Sequence, residues 1–216
     1  MVSKALLRIL TLAPLLALGS CQAMYLGTLE QFGYEKREIL SERIESVSDS
    51  IIIFEQRLDE TFSVYREAIH QEGGNLLASQ KRFSNFYDKT EDAASEFNSR
   101  IEKVQAVANA MFEEWNAESG EIIDTELRRK SRSNYTRALT HYGNLLRSMR
   151  AVQAETDPIL TRLRDHVLFM KLNLHPNAYA PLRTTEDEFI SSAVTVSETM
   201  TATIQEAKNF LRIVSN

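Results

Sequence analysis

The chain has 216 residues with 25 Lys plus Arg against 30 Asp plus Glu, a formal net charge of −5. A moderately acidic chain gains nothing from nucleic acid, which rewards dense positive charge, so no nucleic-acid partner is expected. Seven Gly and four Pro are few breakers for this length, and one Cys excludes an internal disulfide; both favour long helices over a turn-rich all-β chain.

The N-terminal segment begins with Lys4 and Arg8, then an apolar run from Ile9 to Leu18 broken by Thr11 and Pro14. A basic start, an apolar middle and small residues at its end are the layout of a secretory signal peptide. The run is short of the ~20 apolar residues that a spanning helix needs. It closes on Leu18-Gly19-Ser20-Cys21, which resembles the lipobox of bacterial lipoproteins. There the cysteine is lipidated and becomes the first residue, so Cys21 is the expected lipidation site. Residues 1–20 are then a signal peptide and 21–216 one helical domain of 196 residues. Cleavage removes Lys4 and Arg8, so the mature balance is 23 minus 30, or −7. In that family an aspartate after the cysteine retains the protein at the inner membrane. Gln22 stands there instead, which implies the periplasmic face of the outer membrane. Each buried methylene contributes about 0.8 kcal/mol, so several acyl chains anchor firmly where one is marginal.

Four amphipathic runs follow. The first, Leu40, Ile44, Val47, Ile51, Phe54, Leu58, Tyr65 and Ala68, steps by threes and fours, the heptad pattern of one buried stripe. Gly73-Gly74 stops it. The second is Leu76, Phe83, Tyr87, Ala94, Phe97, Ile101, Val104, Ala108, Met111 and Trp115, with Gln80 and Thr90 as polar entries. Its regularity fades near Ser119-Gly120, and a turn is expected between there and Asn134. The third reads Ala138, Tyr142, Leu145, Met149, Val152, Ile159, Leu163, Met170 and Leu174, with Pro158 inside it. Proline there must kink the helix or restart it, with Thr156 or Asp157 as cap. A turn over 173–177 leads to the fourth run, Leu182, Phe189, Ala193, Val196, Met200, Ala207, Phe210 and Val214. Helices of roughly 35–50 residues are about 50–75 Å long. Short connections make neighbours antiparallel, so the expectation is an elongated all-α, coiled-coil-like bundle of four helices, with three as the alternative.

Catalytic patterns are scarce. Glu67-Ala68-Ile69-His70 puts two metal ligands on one helix face, but a carboxylate-bridged di-metal bundle needs two such motifs. The single copy beside Gly73 reads as a solvated helix end, so no metal and no cofactor are expected. No glycine-rich phosphate loop or nucleophile elbow occurs. Glu113-Glu114 beside Trp115 reads as surface next to a core aromatic, not as an acid pair. One local feature stands out: Arg128, Arg129, Lys130 and Arg132 form a basic cluster in an acidic chain. If Cys21 fixes the N-terminus at the bilayer, an upright bundle brings this cluster back to the lipid headgroups, together with Lys208 and Arg212. The turns at Gly73-Gly74 and His175-Pro176 then meet at the far end, the expected partner surface.

Several stretches together resemble a proteobacterial envelope family known as domain of unknown function 2959. They are Gly73-Gly74-Asn75-Leu76, Phe112-Glu113-Glu114-Trp115 with Glu118, Leu127-Arg128 with Ser131, and Pro158-Ile159-Leu160 leading through Asp165 to Val167–Leu174. Leu172 stands where the family carries a histidine, and His175-Pro176 interrupts its Asn-rich turn. The resemblance implies a helical exported protein and supplies no catalytic residue. The resulting expectation is a non-catalytic interaction or scaffold lipoprotein, not an enzyme. Its partners would be the membrane, through the anchor, and an envelope protein, with self-association as a further expectation. A bundle that binds a phospholipid surface along a helix face is the alternative, and a metal- or carboxylate-dependent enzyme the third. Extended exposed apolar surface favours the first, a positive face the second, and a cleft with converging His and carboxylates the third.

Overall fold

The computed structural model describes residues 36–71 and 73–214. The signal segment 1–20 and the lipidation residue Cys21 lie outside the described residues. Four long helices form the bundle: α1 (Lys36–Ile69), α2 (Leu76–Glu121), α3 (Thr125–Leu172) and, after the short α4 (Ala180–Thr184), α5 (Glu186–Val214). They pack in a ring, α1 against α2, α2 against α3, α3 against α5 and α5 against α1. Connections of a few residues leave consecutive long helices antiparallel, so the direction alternates around the ring.

The heptad stripes form the core. Leu40, Ile44, Val47, Ile51, Phe97, Ile101, Val104, Leu145, Met149, Val152 and Met200 are all at most 1 % exposed. Among the described residues the core runs from Ile39 to Val214. Buried threonines in the stripes are paired. Thr61 and Thr90 share a 2.8 Å hydroxyl contact, and Thr90 also donates to the Arg57 carbonyl. Thr203 meets Ser148 across the α3–α5 seam.

The structure narrows one expectation and changes three. The turn after α2 is confined to Ile122–Asp124, and Gly120 lies inside the helix. Asp124 caps α3 by accepting from the Glu126 and Leu127 amides at 2.9 Å, which fixes so short a turn. Pro158 neither ends nor restarts α3, which runs through it for 48 residues. Packing on both flanks outweighs the single backbone hydrogen bond that proline removes. The fourth run is not one helix: Pro176 starts a 3-10 turn (Pro176–Tyr179), α4 follows, and Thr185 breaks it from α5. The short α4 is thus a fifth helix beyond the four expected. Leu174, assigned to the third stripe, lies past the end of α3 and is 43 % exposed.

Candidate functional site

The two ends of the bundle carry the features that geometry singles out. The far end joins the α1–α2 turn to the α3–α5 connection. Both Gly73 and Gly74 adopt positive φ, 81° and 80°, a conformation that side chains disfavour, and a Cβ at Gly74 would meet Gln71 Nε2 at 3.0 Å. Asn75 then caps α2 by accepting from the Ala78 amide. His175 precedes the 3-10 turn opened by Pro176, and its carbonyl accepts from Ala178 at 3.0 Å. The two connections sit at one end because Arg183 donates to the Ile69 carbonyl at 2.7 Å. Glu186, only 9 % exposed, seals the junction: Arg66 Nε lies 3.0 Å and His70 Nε2 2.6 Å from its carboxylate.

Both members of the Glu67/His70 pair are thereby engaged elsewhere, Glu67 by Arg82 and His70 by Glu186. Among the described residues no group of three or more His, Cys, Asp and Glu is placed to hold a metal ion. Beneath this junction an aromatic cluster fills the core. Tyr65 stacks on His166 at 5.2 Å between ring centroids, and Phe189 meets both edge-on at 5.8 and 5.3 Å. Arg162 lies over Phe189 at 5.0 Å. Burial, with the Arg162 charge second, pushes the His166 pKa down to about 4; Asp165 opposes weakly. Burial also raises the Tyr65 hydroxyl well above the ordinary phenol value. The hydroxyls of Tyr65 and Tyr179 and Nδ1 of His166 have no hydrogen-bond partner among the described residues. A neutral imidazole between aromatic rings stabilises a core, and its own environment disfavours proton uptake at neutral pH. Around this end Leu77, Leu168, Leu172 and Leu174 are exposed, Leu172 by 81 %. Leu168 and Leu172, four residues apart, share the face of α3 turned away from buried Leu163, His166 and Met170.

The opposite end holds the α2–α3 hairpin and the start of α1. Lys36 pairs with Glu114 at 2.9 Å and Arg37 lies over Trp115 at 5.3 Å. Trp115 is half-buried, packing edge-on against Tyr135 at 5.9 Å and donating from Nε1 to Ser131 Oγ. The four basic residues are here, but they do not act as one cluster. Arg128 donates to the carbonyls of Ile122 and Ile123 at 2.7 and 3.1 Å, closing the hairpin from inside. Arg129 pairs with Glu126. Of the four, Lys130 and Arg132 are exposed with no hydrogen-bonded side-chain partner among the described residues. Four carboxylates, Glu118, Glu121, Asp124 and Glu126, offset the four cations, so the tip as a whole is neutral.

The positive charge extends elsewhere. From Leu127 to Ala154 there are 28 residues without one Asp or Glu, in a chain that carries 30. They include Arg128, Arg129, Lys130, Arg132, Arg137, Arg147 and Arg150. Carboxylate spacing, had it been read as well as cation spacing, would have revealed this stretch. Concavities nearby are open grooves between helices, such as that lined by His141, Asn144, Glu206, Asn209 and Arg212.

None of the described helices is long and apolar enough to cross a membrane. Neither the curated proteins nor the solved structures contain a match to this chain. The model of one family, described as protein of unknown function (DUF2959), matches residues 25–214, which takes in all four long helices and both ends of the bundle, and the chain belongs to that family.

Proposed function

We propose that this chain is a non-catalytic interaction module of the bacterial envelope, held to the periplasmic face of the outer membrane through lipid at Cys21. Its protein partner docks at the far end of the bundle. The observation that carries the reading is the set of leucines exposed there, Leu77, Leu168, Leu172 and Leu174. Leu168 and Leu172 lie on the outer face of α3, where solvation alone selects polar residues. The junction beneath them is held by Glu186 to Arg66 and His70, and by Arg183 to α1, so the surface is rigid before a partner arrives.

Two experiments test it. A photo-crosslinking residue at Leu172 is expected to give one discrete adduct in native envelopes, lost with Leu168→Glu. The same probe at Ile53, an equally apolar and 51 % exposed position at mid-bundle, should give none. Identical adducts from both positions would remove the far end as a docking surface. Separately, Cys21→Ser should release the protein from the outer-membrane fraction to an unprocessed or soluble periplasmic form. Fractionation of that variant with the outer membrane at the wild-type level would defeat the anchor.

A further inference from the structure

The outer face of α3 is unlike the other exposed helix faces. Arg129, Ser133, Thr136, Thr140 and Arg147 recur at helical spacing and are all exposed, opposite the buried Ala138, Tyr142, Leu145 and Met149. Arg132 and Arg137 flank this line, and neither side chain makes a hydrogen bond or ion pair among the described residues. From Arg129 to Arg147 the face extends about 27 Å at 1.5 Å per residue. Short hydroxyl side chains separate the cations, and along this line only Arg129 is paired with a carboxylate, that of Glu126 one turn before it. The neighbouring stretch of α2 is the reverse: Glu102, Glu113, Glu114, Glu118 and Glu121 face one Lys103 between residues 102 and 121. Charge is therefore segregated by helix, and Arg150 to Glu102 at 2.9 Å is where the two territories touch.

One apolar side chain adjoins the positive face: Leu139, 40 % exposed, lies beside the line. Ile123 and Leu127 at the hairpin tip are 91 and 59 % exposed, Leu127 on the other side of α3. Cations spread along a helix face, with scattered leucine and isoleucine and no carboxylate among them, suit the surface of an anionic bilayer, where charge attracts and short apolar side chains enter the headgroup layer. We propose that α3 docks side-on against anionic phospholipid through Arg129, Lys130, Arg132, Arg137 and Arg147. Side-on contact replaces the upright arrangement expected from the sequence, because the neutral tip offers a bilayer no net attraction while the length of α3 does. The surface is separate from the far-end leucines, and its binding does not require the lipid anchor.

The test uses residues 22–216, which contain every core residue among those described, with vesicles of phosphatidylcholine alone or with about one-third phosphatidylglycerol. Binding to the anionic vesicles only is expected, weakening as salt shortens the Debye length. Each cation near such a surface contributes about fivefold, so Arg132→Glu with Arg137→Glu and Arg147→Glu, which also add repulsion, should lower affinity by at least about 100-fold. Lys81→Glu with Lys89→Glu and Lys103→Glu makes the same change in net charge on α2 and should cost no more than about threefold. Circular dichroism and melting of both triple variants verify that they are folded. Equal losses in the two sets, equal binding to neutral vesicles, or binding to polyglutamate with none to vesicles would overturn the proposal. Loss of binding in Ile123→Ser with Leu127→Ser, with retention in the α3 arginine set, would replace side-on docking by tip insertion and overturn it too.

Discussion

Replacing Ile101 with aspartate is expected to abolish the cooperative melt of the bundle or lower its midpoint by at least about 10 °C. Ile101 is fully buried near the middle of α2, between Phe97 and Val104, with Phe97 in turn 6.3 Å from Phe54 of α1. The nearest buried polar pair on this helix is at Thr90, eleven residues and about 16 Å away along the axis, too far to solvate a carboxylate. An unpaired charge in such a layer costs several kcal/mol whether it stays ionised or takes up a proton. Total stabilities of roughly 5–15 kcal/mol leave little to absorb that. Two companions make the result specific. Ile101→Val removes one methyl group and should cost about 1 kcal/mol. Lys103→Asp, two residues on and exposed, should change stability by no more than about 0.5 kcal/mol. If Ile101→Asp melts within two or three degrees of the parent, the heptad stripe of α2 is not core.

That stripe was fully legible because burial on a helix imposes a period, and α1, α2, α3 and α5 all obey it. Where the sequence misled, a local signal competed with tertiary packing. The fading period near Gly120 places the turn only within a dozen residues, and the hairpin contacts of Ser119 with Ser131 and of Trp115 with Tyr135 fix it to 122–124. Pro158 reads as a break, yet α3 is held along 48 residues by neighbours on two sides. Leu174 fits the period of α3 arithmetically, but the helix has ended by then, and position in the period no longer decides burial. Glu67 and His70 have metal-ligand spacing, and their partners Arg82 and Glu186 come from other helices, at separations that no local window spans.

The two ends of the bundle were partly legible for the same reason. The far end reads as the place where the turns at Gly73-Gly74 and His175-Pro176 come together, since antiparallel connectivity alone dictates it. Its leucines were not, because exposure depends on where α3 stops. The basic residues at 128–132 read as a run, while the wider signal is an absence, the 28 residues without a carboxylate. A run of like charge also conceals division of labour: Arg128 closes a turn through two carbonyls, and Arg132 faces solvent.

Acid should weaken the far end of the bundle through His166. The residue is 8 % exposed, stacked on Tyr65 from α1 and met edge-on by Phe189 from α5, with Arg162 and Asp165 as the charged groups of its own helix and Glu186 near Tyr65. Its folded pKa is pushed down to about 4, chiefly by burial, against an ordinary value of 6.5. Between those two values the unfolded chain binds a proton that the folded chain refuses, so stability falls as pH falls. The contribution is complete above pH ~6.5 and is lost progressively down to pH ~4, about 3 kcal/mol in all. Chemical denaturation at a series of pH values measures it. His166→Phe keeps an aromatic ring against Tyr65 and removes the titrating group, so its stability should be flatter across that window by about the same amount. The variant should also lose nothing at pH 7, because an apolar ring needs no partner where Nδ1 now lacks one. Parallel pH profiles for the two proteins would mean that His166 is protonated in the folded state, and that the ring stack at the far end admits water.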